Sequence, residues 1–514
     1  MNGAESLART LVASGVDVCF TNPGTSEMHF VAALDRVAEM RCVLALFEGV
    51  VTGAADGYAR MTGRPASTLL HLAPGLGNGL ANLHNASRAR SPVVNVIGDH
   101  ATYHKQYDAP LNADIEGVAR PYSKWLRTSK SAADVARDGA EAVAAARTAP
   151  GQIATLILPA DTAWNEGSGV VAAQPVPPPA PVASSAVERA AALLKGGGKG
   201  AILLAGAALQ RTGLARAGRI AAATGAELLA PYSIARIERG AGIVPVDRVP
   251  YPIDQAVERL KHLSYLILVG APAPVSFFAY PGKPSVVTPK ECVIHTLARP
   301  EEDLLGALDT LADAVDARDA TPALQQHERQ PTPSGPVTLQ GIGGVIASLI
   351  AEGMIVVDES ITSGRSLLAM TRGCPPHDWL PNPGGSIGFA MPVAVGAAVA
   401  CPDRKVLCLE GDGSGMYTLQ SLWTMAREKL NVTTILFANR TYQILKGELA
   451  NVGAGNPGRR ALDMLEIGRP DLDWVGLAHG MGVPAWRAET LDDLRRHAAA
   501  GLASQGPSLV ELVL

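Results

Sequence analysis

The chain has 514 residues, too many for one hydrophobic core, and its 47% apolar against 18% charged residues exclude a disordered protein. A net charge of −4 offers no electrostatic footprint for nucleic acid or for an anionic membrane surface. No apolar run approaches the ~18 residues that a membrane-spanning helix needs.

The N-terminal stretch MNGAESLARTLVASGVD lacks the basic and apolar regions of a signal peptide. It predicts a first helix with Leu7, Leu11 and Val12 on one face. The cysteines Cys19, Cys42, Cys292, Cys374, Cys401 and Cys408 form no C-x-x-C pair and no metal-ligand spacing, so buried free thiols in a reducing cytoplasm are expected.

Next comes ALFEGVVTGAADGYAR, residues 45–60. Val43, Leu44 and Leu46 predict a buried strand, and Ala54, Ala55, Tyr58 and Ala59 a helix, with Glu48 at the junction. Two readings of that carboxylate stand at this point. It is an exposed acid favoured by the dipole at a helix start, or a poorly solvated acid that handles a proton.

Two proline-rich stretches, 170–185 and 319–336, cannot be long helices or inner strands. They divide the chain into 1–169, 186–318 and 337–514. Each part alternates β-branched runs with Ala/Leu-rich runs: VVNVIGD in the first, AILLAG and YLILVGAP in the second, MIVVDES, VLCLEGDG and TTILFAN in the third. That alternation predicts an α/β protein of three doubly wound parallel sheets, with ligands bound beyond the carboxyl ends of the strands. GGGKGA, 196–201, is not a P-loop, since no Ser or Thr follows its Lys, and AILLAGAAL is only a weak Rossmann look-alike.

The third part holds the strongest motif. A short strand Val406–Leu409 is followed by the turn Gly411-Asp412-Gly413-Ser414, a helix over 419–429, and a second strand Thr433–Ala438 that ends at Asn439. Asp412 and Asn439 therefore stand at the ends of strands joined by one helix. Neighbouring parallel strands lie ~4.8 Å apart, so the two oxygen side chains can meet one small, hard cation such as Mg²⁺. The glycines admit a phosphate close to the backbone, and N–H groups near Ser414 point at it.

This pattern resembles the thiamine diphosphate (ThDP) motif, GDG followed by Asn after one strand–helix–strand unit. The resemblance implies that Asp412, Asn439 and the backbone carbonyl of Thr441 hold Mg²⁺, although Ala438 stands where the family has a first Asn. It places Gly411, Gly413, Ser414 and Tyr442 at the cofactor. Within NPGGSIGFAMPVAVGAAVA, 382–400, Gly385 and Ile387 match the segment under the cofactor rings, with Ile387 as the bulky residue that bends it. Thr362 in DESITSG matches a diphosphate contact.

NPGTSE (22–27), ALFEGVVTGAADGYAR and residues 69–99 look like the family's pyrimidine-binding domain. The three parts then become a pyrimidine-binding domain (1–169), a central Rossmann-like domain (186–318) and a diphosphate-binding domain (337–514). Thr25 and Asn78 fall on cofactor contacts, and Glu48 falls on the catalytic glutamate that shares a proton with N1′ of the pyrimidine. In the family that glutamate reaches cofactor held by another chain, which implies a homodimer or homotetramer with composite active sites.

Overall the chain is similar to acetolactate synthase large subunits and to benzoylformate decarboxylase. The first similarity implies decarboxylation of a small 2-oxo acid with carboligation to a second. The alternative is a decarboxylase that releases an aldehyde. A non-catalytic ThDP-binding regulatory homologue is the third reading. Against acetolactate synthase, APLNADI (109–115) replaces an AFQEADI-like loop, and Glu448 stands at the position of the acceptor-contacting Trp. An RFDDR-like stretch is missing after LILVG, so FAD is not expected. On the decarboxylase side, His71 matches an active-site His that relays protons, while Phe277 and Phe278 replace that type's second His. His100 and His104 border the expected pocket, and Lys124-Trp125 is common to both types.

Overall fold

The computed structural model of the protein describes residues 1–328 and 331–514. Arg329 and Gln330, inside the second proline-rich stretch, lie outside the described residues. The aliphatic runs become strands, and the Ala- and Leu-rich runs become the helices that cover them. β1 (Val18–Asn22), β2 (Arg41–Leu44), β3 (Ala66–Leu70), β4 (Val93–Asp99), β5 (Trp125–Thr128) and β6 (Ile153–Pro159) form a first sheet in the order β2-β1-β3-β4-β6-β5. All of its pairs are parallel.

The middle of the chain supplies β7 (Gly200–Leu204), β8 (Glu227–Ala230), β9 (Ile237–Arg239), β10 (Asp247–Arg248), β11 (Tyr265–Val269) and β12 (Val293–Ala298). Five of these build a parallel sheet, β10-β8-β7-β11-β12. The third sheet contains β13 (Ile355–Glu359), β14 (His377–Pro381), β15 (Val406–Gly411), β16 (Val432–Ala438), β17 (Ala485–Ala488) and β18 (Ser508–Val513). Its order is β17-β18-β16-β15-β13-β14-β9. β9 leaves the middle of the chain to pair antiparallel with β14, Ile237 opposite Trp379. The expected three-sheet α/β architecture is present, with this one antiparallel edge.

Local details depart from the sequence reading. β2 is an edge strand paired only with β1, so Arg41 and Cys42 are exposed, and Leu46 just beyond it is exposed as well. Cys42 is thus no buried thiol, and Cys401 is only half-buried; the other four are buried. The first helix, Gly3–Ala13, buries Leu7 and Leu11 but leaves Val12 half-covered. The helix expected over 419–429 is one short turn at Asp412–Gly415 and a separate helix at Ser421–Glu428.

One seam joins the first and third sheets and positions the site. The helix Glu48–Thr62 lies along the helix Ala390–Ala400. Small residues permit the approach: a methyl group at Gly57 would overlap the backbone of Val393, and one at Gly396 the backbone of Ala54. Arg60 crosses the seam from its buried ion pair with Asp56, donating to the Pro381 carbonyl (3.1 Å) and lying over the Phe389 ring (5.2 Å). Glu48 therefore projects from the end of a helix fixed on both sides.

Candidate active site

β15 and β16 are neighbours, with Gly411 opposite Phe437. Their carboxyl ends carry Asp412 and Asn439. Asp412 Oδ1 accepts from the Gly413 N–H (2.8 Å) and Oδ2 from the Arg440 N–H (2.5 Å). Asn439 Oδ1 accepts from the Thr441 N–H at 3.0 Å across a tight turn in which Arg440 has φ +57°. Asp412 is buried, and burial pushes its carboxyl up to about 6 against the pull of those N–H groups. No cationic side chain pairs with it among the described residues. A buried carboxylate, an amide and a backbone carbonyl form an all-oxygen donor set that fits Mg²⁺.

Beside these groups opens a cavity of about 870 Å³ between the second and third sheets. Thr362, Gly385, Ile387, Gly411, Gly413, Ser414 and Tyr442 line it, together with Asp412, Asn439 and Thr441. Glycine is required at two of these positions. A methyl group on Gly413 would sit 2.5 Å from the Tyr442 ring; Gly385 has φ +80°, and a methyl there would meet Phe277 at 2.6 Å. The bulky Ile361 next to Thr362 has φ +46°, a strained backbone that the surrounding loop must hold in place. The Ser414 hydroxyl is already committed to Glu410 and to the Gly411 carbonyl. Such a cradle fits a phosphorylated cofactor.

A second group assembles on the first sheet. The helix Glu48–Thr62 starts after Phe47, which makes no side-chain cap bond. Glu48 is buried, and its Oε2 accepts from Asn78 Nδ2 at 3.0 Å. The exposed-acid reading of Glu48 is thereby set aside. His71 Nδ1 lies 2.9 Å from Glu27 Oε2, and Glu27 also accepts from the Gly24 N–H (2.8 Å) and the Ser26 hydroxyl (2.9 Å). A methyl group on Gly75 would touch both Glu48 Oε1 (3.2 Å) and His71 Cβ (3.3 Å), while the imidazole itself lies against Gly24, where an added methyl would overlap the ring. Leu72, directly after His71, has φ +44°. Thr25 is exposed at the start of the short turn Thr25–Glu27.

Within one chain the two groups stay apart: Thr25, Glu48, His71 and Asn78 do not line the 870 Å³ cavity. His100 and His104 lie near each other with tilted rings (centroids 5.6 Å apart) beyond β4 and also lie outside it. Phe277 and Phe278 do line it. Lys124 is exposed, and Trp125 opens β5 beneath the Arg127 guanidinium.

Sequence reasoning passed over Glu27, although it lies inside NPGTSE. It also missed Tyr251 and Tyr280, whose hydroxyls both donate to Glu448. These partners come from distant parts of the chain, and no local spacing announces them.

Comparison with known proteins follows the same geometry. The family model described as "Thiamine pyrophosphate enzyme, N-terminal TPP binding domain" matches residues 1–118, and "Thiamine pyrophosphate enzyme, C-terminal TPP binding domain" matches 363–512. The chain belongs to the thiamine pyrophosphate enzyme family. The N-terminal match of this ThDP enzyme contains Glu48, His71 and Asn78; the C-terminal match contains Asp412, Asn439 and Thr441. The chain is 52% identical over its whole length to a Mycobacterium tuberculosis protein named "Putative acetolactate synthase large subunit IlvX", of which it covers 99%. It is 29% identical to a Pseudomonas aeruginosa benzoylformate decarboxylase, over 97% of this chain and 96% of that protein. Its fold is that of the Rhodococcus jostii RHA1 thiamine diphosphate-dependent 4-hydroxybenzoylformate decarboxylase, at TM-score 0.86 and 24% identity over 99% of this chain and 98% of that one.

Proposed function

We propose that this ThDP enzyme is a Mg²⁺-dependent 2-oxo acid decarboxylase in which His71 delivers the product-forming proton. The observation that carries the reading is the pairing of Glu27 with His71 and of Asn78 with the buried Glu48 around the first sheet, with the Asp412–Asn439 cradle at strand ends of the third. Asp412, Asn439 and the Thr441 carbonyl would hold Mg²⁺. Gly411 and Gly413 leave room for the diphosphate, and Ile387 stands where the cofactor rings would rest. Held there, ThDP would supply the carbon nucleophile and the electron sink that decarboxylation of a 2-oxo acid needs.

The protein's own groups do the rest. Glu48, oriented by Asn78, exchanges a proton with the pyrimidine ring. Glu27 fixes the His71 ring through the 2.9 Å contact to Nδ1, and the imidazole would supply a proton to the former carbonyl carbon. The two groups are separate in one chain, so the working unit is a homodimer or a larger homo-oligomer in which each site draws on two chains.

Carboligation to a second 2-oxo acid is the other reading. The name of the 52% identical relative favours it. Against it, Glu448 occupies the acceptor-contacting position and is held by Tyr251 and Tyr280.

The experiment is product analysis of the purified protein with Mg²⁺ and ThDP, without FAD, on a panel of 2-oxo acids offered singly and in pairs. CO₂ with an aldehyde supports the first reading. CO₂ with a hydroxyketone or acetolactate-type product supports the second. No CO₂ from any acid, with ThDP shown to bind, overturns both.

A further inference from the structure

The cavity has a cationic pole that the ThDP chemistry leaves unused. Arg248 on β10 of the middle sheet lines it, together with Arg239 on β9 and Arg372 and the exposed Arg365 from the segment between β13 and β14. Arg239 is neutralised by no carboxylate: it donates to the Thr371 hydroxyl (2.7 Å) and the Leu368 carbonyl and lies over Trp379. Burial, with Arg248 and Arg372 as like charges nearby, lowers its pKa to about 10. Arg372 donates to Gln325 (2.8 Å) and lies 3.7 Å from Asp247, which also serves Arg259. Arg248 and Arg365 have no hydrogen bond or ion pair among the described residues. Arg248 instead rests its guanidinium over the Tyr232 ring at 4.6 Å.

The acids nearby are occupied. Asp358 accepts from the Ser360 N–H and hydroxyl and from the Trp379 indole N–H. A guanidinium held in a partly dry cavity without an anion is costly, and a bidentate carboxylate is the partner that best relieves it. The surroundings are apolar. Tyr232 packs on Tyr251 (5.0 Å) and Phe277 (6.3 Å), forming a wall beside the charge. An organic acid with a short carbon chain between two anionic ends matches this combination of wall and cation.

We propose that Arg248, assisted by Arg365, binds a distal carboxylate of the substrate, so that this enzyme prefers a 2-oxo dicarboxylic acid. The proposal rests on the 2-oxo acid reading above, but the anion site itself can be tested apart from turnover. Glutarate, which has no 2-oxo group, is titrated calorimetrically into the Mg²⁺/ThDP-loaded protein, alongside butyrate and inorganic phosphate. The variants are Arg248→Met and, to separate loss of charge from misfolding, Arg248→Lys. In parallel, kcat/KM is compared for 2-oxoglutarate and 2-oxopentanoate, which share a chain length and differ in the second carboxylate.

Glutarate is expected to bind more tightly than butyrate, to weaken about 10–100-fold in Arg248→Met, and to recover in part in Arg248→Lys. The preference for 2-oxoglutarate over 2-oxopentanoate is expected to collapse in Arg248→Met, mainly through KM. Glutarate binding that is absent, or equal in the wild type and Arg248→Met, overturns the proposal. Arg248-dependent binding of phosphate but not of glutarate assigns the pole to a phosphate and also overturns it. Arg248-dependent glutarate binding without turnover of any acid upholds the anion site while the decarboxylase reading falls.

Discussion

Glu359 and Glu410 lie directly opposite one another on the neighbouring parallel strands β13 and β15, and both are buried. Glu359 accepts from the N–H groups of Gly388 (3.1 Å), Phe389 (2.7 Å) and Ala390 (2.9 Å), where the helix Ala390–Ala400 begins. Glu410 accepts from the Ser414 hydroxyl and the Gly411 N–H through one oxygen, and its other oxygen has no partner among the described residues. Two carboxylates so close cannot both ionise cheaply. Burial pushes Glu359 up to about 7, while burial and the charge of Glu359 push Glu410 well above the ordinary range.

The pair makes stability depend on pH. The folded state holds a proton that the unfolded chain releases near pH 4.5. The pair's contribution is therefore complete below about pH 4.5 and falls as pH rises, that of Glu359 being lost through about 7. His377, held down to about 4 by burial, acts in the opposite sense, since its contribution is lost as pH falls. Comparison with Glu410→Gln isolates the pair. The amide keeps an acceptor for Ser414 and offers Glu359 a donor in place of a second charge. Melting curves of the metal-free protein are expected to show Glu410→Gln stabilised relative to wild type by roughly 1–3 kcal/mol at pH 8, with the gap closing towards pH 5. A constant gap across that range would refute the shared proton.

The cation cradle predicts a second pH effect. A carboxylate must be deprotonated to bind a metal, and Asp412 without metal sits at about 6. Mg²⁺-dependent ThDP binding is expected to be flat above pH 7 and to weaken about tenfold per unit below pH 6. Asn439→Ala is expected to weaken it about 10–100-fold at pH 7.5, consistent with loss of one charge-assisted ligand. Calorimetric ThDP titrations at several Mg²⁺ concentrations check both. Unchanged Mg²⁺ dependence in Asn439→Ala would remove it from the donor set.

What the sequence revealed followed locality. Asp412 and Asn439 stand out because one strand–helix–strand unit separates them, so spacing alone puts them at neighbouring strand ends. Glu48 stands out because an acid interrupts an apolar junction. The arrangement around Glu448 was not legible, because Tyr251 and Tyr280 reach it from loops in the middle part of the chain. The crossing of β9 was equally hidden, since a three-residue strand carries too little pattern to declare its partner. The exposure of Cys42 was hidden too, because residue type suggests burial, whereas exposure is decided by the position of β2 at a sheet edge.

The seam between the first and third sheets gives a stability prediction. Asp56 and Arg60 are almost fully buried, and Ser91 donates to Asp56 at 2.5 Å. Asp56→Ala would leave the guanidinium buried without a counter-charge, which costs about 3–5 kcal/mol. Denaturant unfolding should register that loss. Because Arg60 also bonds the Pro381 carbonyl, ThDP affinity is expected to fall with it. A change below about 1 kcal/mol would mean that Arg60 finds another partner or reaches water.

Glu48 gives the most direct test of the chemistry. Its Oε2 accepts from Asn78, and a glutamine oxygen can accept the same bond. Glu48→Gln therefore removes the exchangeable acid while preserving the contact that orients it. A positioned acid–base group contributes about 10²–10⁴-fold to rate, so kcat is expected to fall by that factor. The melting temperature and ThDP affinity should stay close to wild type, because the fold and the diphosphate cradle do not depend on the proton. Single-turnover assays with ThDP and Mg²⁺ in excess separate the two effects. Full turnover in Glu48→Gln would show that another group activates the cofactor. A loss of ThDP binding equal to the loss of kcat would reduce Glu48 to a structural contact.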